Sequence, residues 1–155
     1  MEIEVELLNA CRTGNVDRIS QLIAEGADVD YKDDRGFSPL IIASYNGHLE
    51  ATRRLLQANA DVNAQDNGGN TALMGACFKG YKEIAELLLE NKADVNMRHG
   101  NGGTALMFAT MFGRNELVKV ILQHGADKST REARGMTALD LAIQQGNVDA
   151  AELLQ

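Results

Sequence analysis

Leu40, Leu73, Leu106 and Leu139 stand 33 residues apart, and Ala43, Ala76, Ala109 and Ala142 keep the same step. Residues three apart on a helix share a face, so each Leu–Ala pair marks one buried helical stripe. Polar punctuation follows the same ruler. Ser38, Thr71, Thr104 and Thr137 precede the stripes, where a hydroxyl can cap a helix start. Gly36, Gly69, Gly102 and Gly135 stand before the caps, and Gly14, Gly47, Gly80, Gly113 and Gly146 close the stripes. A step that never drifts along the whole chain predicts one supersecondary unit stacked repeatedly, a solenoid without a single central core.

The stretch from Gly69 to Asn96 represents the unit. Thr71 caps a first helix that buries Leu73, Ala76 and Cys77 and stops at Gly80. A second helix follows with Ile84, Leu87, Leu88 and Leu89 as its apolar stripe, and Lys82, Glu83, Glu86 and Glu90 face solvent. Such a hairpin cannot bury both faces alone, so each repeat depends on its neighbours. Ala93-Asp94-Val95-Asn96 leads into an extended segment and a tight turn at Asn101-Gly102, with Asn67-Gly68 in the same role one repeat earlier.

These motifs resemble the ankyrin-repeat family. They are Gly36-Phe-Ser-Pro-Leu40, Gly69-Asn-Thr-Ala-Leu73, Gly103-Thr-Ala-Leu106 and Gly135-Met-Thr-Ala-Leu139, with Gly47-His-Leu-Glu50. Gly26-Ala-Asp-Val-Asp30, Asn59-Ala-Asp-Val-Asn63, Lys92-Ala-Asp-Val-Asn96 and Gly125-Ala-Asp-Lys128 match as well. The resemblance implies an all-α repeat solenoid of helix-turn-helix pairs with β-hairpin fingers. It covers the chain as a single domain divided near 1–32, 33–65, 66–98, 99–131 and 132–155, the first and last units acting as caps. Where the family has His after the Pro/Ala-Leu pair, this chain has Ile41, Met74, Met107 and Asp140, so the usual side-chain bonds between adjacent turns are expected to be replaced by packing. Glu2, Glu4 and Glu6 open the first cap, and the last repeat reads as polar and tapering, with Gln144 and Gln145 on its first helix and Ala150 and Ala151 on its second.

Composition narrows the function classes. Hydrophobic residues make up 45% of the chain, enough for a packed protein, and no apolar run reaches the length of a membrane span. The acidic first residues are unlike a secretory signal. A net charge of −7 works against nucleic acid and anionic membranes. The inter-repeat segments 30–37, 64–70, 97–103 and 130–136 sum to zero charge, so the acidity sits on the helical body and the fingers pass from slightly acidic to slightly basic. Cys11 and Cys77 lie two repeats apart. Packed helices are separated by about 8–10 Å and a disulfide spans only about 6 Å between Cα atoms, so the two thiols cannot bridge within one chain. Free thiols fit a reducing, cytoplasmic setting.

No catalytic constellation is present: no nucleophile elbow, no His-Glu-x-x-His, no phosphate-cradling glycine loop and no close Cys/His set. His48 is read at a helix start, His99 in a fingertip and His124 at a helix end. Asp28, Asp61, Asp94 and Asp127 belong to the loop pattern of the repeat rather than to a carboxylate site. No enzyme, cofactor or metal is therefore expected.

In the family, partners bind the concave face formed by fingertips and the exposed edges of the first helices. The positions this implies are Tyr31, Lys32, Arg35, Phe37, Tyr45, Asn46, Phe78, Lys79, Arg98, Met111, Phe112, Arg131, Arg134 and Met136. The chain has only three Tyr and four Phe, and Phe37, Tyr45, Phe78 and Phe112 all fall on this face. Aromatic, Met and Arg enrichment is the composition of interface hot spots. Tyr45, Phe78 and Phe112 recur near the repeat spacing and are expected to form a stripe, whereas Phe108 and Tyr81 are read as packing residues. The leading expectation is a monomeric, non-enzymatic protein-binding module, an adaptor, inhibitor or immunity-type protein that acts by occlusion. Alternatives are self-association through the same rings, a small-ligand or enzymatic groove, for which no convergent polar set exists, and nucleic-acid binding by Arg98, Arg131 and Arg134, too few against an acidic body.

Overall fold

The computed structural model describes residues 2–155. Ten α-helices follow one another as five antiparallel pairs: α1 (Glu2–Thr13) with α2 (Val16–Ala24), α3 (Pro39–Tyr45) with α4 (Leu49–Gln57), α5 (Ala72–Lys79) with α6 (Lys82–Glu90), α7 (Ala105–Met111) with α8 (Asn115–Gln123), and α9 (Ala138–Gln145) with α10 (Val148–Leu154). The first helices pack in series, α1 on α3 on α5 on α7 on α9, and the second helices form an outer row from α2 to α10. Leu40, Leu73 and Leu106 are buried between successive repeats, as are Ala43, Ala76, Ala109 and Ala142. The core is thus a continuous strip, not a centre.

Each inner helix after the first starts on the expected hydroxyl. Ser38, Thr71, Thr104 and Thr137 accept from the amides of Ile41, Met74, Met107 and Asp140 at 3.2–3.4 Å. Two of the four residues standing where the family has His act locally, while Ile41 and Met107 are buried. Met74 Sδ accepts from the Thr71 amide at 3.5 Å and Asp140 Oδ2 from the Thr137 amide at 3.0 Å, each completing a capping box.

At the other end of α5, Gly80 adopts φ 80°, a left-handed conformation open to glycine at little cost. It has a second reason to be glycine: a Cβ there would lie 2.9 Å from Nε of Arg114, whose guanidinium donates to the Phe78 carbonyl at 3.3 Å. His48 repeats the arrangement over Gly14, its Nε2 donating to the Arg12 carbonyl at 2.9 Å.

The fingers differ from expectation. No strand forms among the described residues; each finger is a tight turn closed by one backbone pair, Asp66 N to Asn70 O and Gly69 N to Asp66 O in the second. The left-handed glycines are Gly36, Gly69, Gly102 and Gly135. Asn67-Gly68 therefore sits one place earlier in its turn than Asn101-Gly102 does, and the two are not equivalent. The turns stay short because each first residue accepts from its own finger: Asp33, Asp66 and Glu132 each take two amides, while His99 Nδ1 takes the Asn101 amide at 3.4 Å. One backbone bond then links each fingertip to the next, Asn67 to Arg35, Gly100 to Gly68 and Ala133 to Asn101.

Below the fingers, Asp28, Asp61, Asp94 and Asp127 each accept the amide two residues on, the structural role expected of them. Asp30, Asn63 and Asn96 reach to the amides of Asp61, Asp94 and Asp127 in the following repeat at 2.8 Å. Cys11 and Cys77 are free and buried, and burial pushes both thiols up to about 12.

The last repeat is less polar than expected. Ile143 is 64% exposed, whereas Cys11, Ser44, Cys77 and Thr110 at the same repeat position are at most 1% exposed beneath the following repeat. Val148 is exposed as well.

Candidate partner-binding surface

The C-terminal ends of α3 and α5 carry Tyr45 and Phe78 at one repeat position, 33 residues apart. Their rings stack with centroids 6.3 Å apart and planes within 6°. Met111 holds that position in α7, and Phe112 follows it by one residue. The Phe112 ring still reaches Phe78, edge to face at 4.6 Å. Lys79 Nζ lies 5.0 Å from the Tyr45 ring centre, a cation over a ring face. Tyr45 and Phe112 are each 44% exposed and Phe78 is half-buried between them. The stripe is therefore a continuous row of rings.

Beside the row, between the fingers and the inner helices, lies a groove of about 560 Å³. Phe37, Ile41, Ile42, Met74, Phe78 and Phe108 give it apolar walls, Ser44, Asn46 and Asn70 add polar edges, and Arg12 and Arg35 stand at its rim. Arg12 occupies in α1 the position of Tyr45 and Phe78, which extending that register back one repeat would have shown. Phe108 is corrected from a core residue to a half-buried groove wall, where its ring lies 5.1 Å from that of His99. Nothing in a periodic count separates it from the core, because its depth is set by the side chains of neighbouring repeats.

The cations divide into two kinds. Lys32 and Arg98 point along the stack, and Arg131 turns back into its own finger: Lys32 Nζ donates to the Gln65 carbonyl at 2.8 Å, Gln65 Nε2 to the Arg98 carbonyl at 3.1 Å, and Arg98 Nη2 to the Arg131 carbonyl at 2.8 Å. Arg131 Nη1 donates to the Gly135 carbonyl at 2.7 Å. This ladder ties finger to finger and consumes donors that the sequence reading assigned to a partner. Arg134 is held by Glu132 at 2.9 Å, and hydrogen bonds from the Met136 amide and the Arg134 side chain hold the Glu132 carboxyl below its usual range. The Arg35 side chain, by contrast, has no acceptor among the described residues.

Tyr31, Met111 and Met136 are half-buried against the core, Phe37 is half-buried at the groove, and exposed Asn46 donates to the Ile42 carbonyl. Among the described residues, no three His, Cys, Asp or Glu side chains gather as a metal site. His48, His99 and His124 keep to the places read from the sequence, and His124 Nδ1 donates to the Val120 carbonyl at 2.9 Å. No described helix is long and apolar enough to cross a membrane.

Stacked helical hairpins linked by short turns, with a row of rings along one side, define a helical-repeat interaction module. The chain belongs to the ankyrin-repeat family: the family model described as ankyrin repeats (3 copies) matches over residues 7–99 and again over residues 93–155. Repeats of this family are generally protein-interaction modules and generally not enzymes. No curated protein matches the chain.

Proposed function

We propose that this protein binds another protein along its concave face, as a monomer, and acts by covering part of that partner as an adaptor, inhibitor or immunity-type protein would. The row of Tyr45, Phe78 and Phe112, left accessible with Lys79 across Tyr45, carries the reading. Rings held in fixed positions lose little entropy on contact, and exposed aromatic area gains the most when covered. Tyr31, Phe37, Asn46, Met111 and Met136 extend the surface, with Arg35 as its freest charge and Lys32, Arg98, Arg131 and Arg134 at its border. No cofactor is invoked. Two unpaired buried thiols support a reducing compartment, the cytoplasm.

The test is a binding titration with the partner captured from the source cell. Phe78→Ala with Phe112→Ala weakens binding by more than about 1 kcal/mol, roughly fivefold, without changing the fold seen by circular dichroism. Unchanged affinity in that double variant would remove the ring row from the interface.

A further inference from the structure

Ile42, Gly75, Phe108 and Leu141 occupy one repeat position, 33 residues apart, on the groove side of four successive inner helices. Three of them project a large apolar side chain, and Gly75 projects none. The backbone does not require this glycine. Gly75 lies inside α5, its φ is not among the positive values, and the single atom within 4 Å of an added Cβ is Cδ1 of the exposed Tyr45 ring, at 3.2 Å. A glycine in a helix interior destabilises the helix relative to alanine, so its presence calls for a packing or functional reason. The groove supplies one: Ile42 and Phe108 wall it on either side, and the missing side chain opens its floor.

The charged residues that line the opening are two cations and one carboxylate, a net +1. Arg12 and Arg35 line the rim and Lys79 stands beside Tyr45. The one acidic lining residue, Asp66, is turned inward: its Oδ1 takes the amides of Gly68 and Asn70. A cationic rim is complementary to an acidic partner, and in a two-fold pairing of rim on rim it would face its own like charges.

We propose that the space over Gly75 is a socket for one large apolar side chain from an extended, acidic segment of a partner protein, with the segment's carboxylates set against Arg35 and Arg12. The inference rests on the reading of this face as the partner surface and adds which residue sets specificity on it. Gly75 excludes nothing itself; it makes room. Segments that are basic, or that lack a large apolar residue, do not fit both the floor and the rim.

The probe is a displayed library of random linear peptides selected on the folded protein, followed by titration of synthetic copies of the enriched sequences. Expected winners pair one Leu, Met, Phe or Trp with neighbouring Asp or Glu. Gly75→Leu, which places the Leu141 side chain type in the opening, weakens them about 30-fold, the loss of a hot-spot anchor, while the thermal midpoint holds or rises. Arg35→Glu weakens them about tenfold at low salt and less at high salt. Should Gly75→Leu fail to fold, Gly75→Ala decides, since unchanged affinity there sinks the socket.

The proposal is overturned by winners that are basic or wholly polar, by the absence of any enrichment, or by a winner indifferent to Gly75→Leu. A winner that loses affinity in the Phe78→Ala, Phe112→Ala variant but not in Gly75→Leu leaves the concave-face reading standing and removes the socket alone. Indifference to both removes both. A dimer seen by light scattering that Gly75→Leu dissolves assigns the socket to a second copy, and a single-stranded oligonucleotide that displaces the peptide assigns it to nucleic acid; either result overturns the proposal.

Discussion

Two glycines of one helix stand in contrast. Gly80 ends α5 and is demanded twice, by a left-handed φ of 80° and by the Arg114 guanidinium packed where a Cβ would be. Gly75, in the middle of the same helix, has an ordinary helical φ, and a Cβ there would meet only the exposed Tyr45 ring, at 3.2 Å. One position is repeated through the chain as Gly14, Gly47, Gly80, Gly113 and Gly146, while the other varies as Ile42, Gly75, Phe108 and Leu141. Positions that repeat are those on which every junction makes the same physical demand. Positions that vary are free to shape the surface, and Ile42, Gly75 and Phe108 all line the groove.

The contrast can be broken by substitution. The largest effect is expected from Leu73→Ala, which empties a site buried between repeats; chemical denaturation should show a loss of about 2–5 kcal/mol. Gly80→Ala forces a Cβ into a left-handed turn and against Arg114, and a loss of about 1–3 kcal/mol is expected by the same measurement. Thr71→Ala removes a cap and should cost about 0.5–2 kcal/mol. Gly75→Ala should move the other way, stabilising by up to about 1 kcal/mol. A loss at Gly75 as large as at Gly80 would erase the distinction and make Gly75 a packing residue that seats Tyr45.

The smallest effect concerns the last finger. The Glu132 carboxyl is held below its usual range by the Met136 amide and Arg134, so the stability it adds is present above the unfolded carboxylate range. That contribution fades as the pH falls below about 4. Glu132→Gln should lower the neutral plateau slightly and so flatten the acid limb of a pH–stability curve, and an unchanged acid limb would show that the contact adds nothing to stability.

Much of the architecture was legible because the repeat is a local object. Caps, stripes and helix ends depend on residues three or four apart, and the Ser38, Thr71, Thr104 and Thr137 row was placed correctly for that reason. The finger read as a hairpin came out as a bare turn, since Asp33, Asp66 and Glu132 satisfy the amides that strand pairing would otherwise have to serve. The site was legible in part. Its rings were found by counting, but Lys32 and Arg98 proved to be tied to carbonyls one repeat onward, and Arg131 to the Gly135 carbonyl of its own finger. Phe108 and Arg12 went unrecognised as groove residues.

The sequence by itself determined the repeating unit, the order of its helices, the caps and glycines that start and stop them, and which faces are apolar, because backbone conformation and helical periodicity act over a few residues. Tertiary stacking alone decided which charges remain free, which rings meet, and that a missing side chain at Gly75 becomes an opening. Those properties belong to junctions between residues some 33 positions apart, where distance and shape, not residue type, set the outcome.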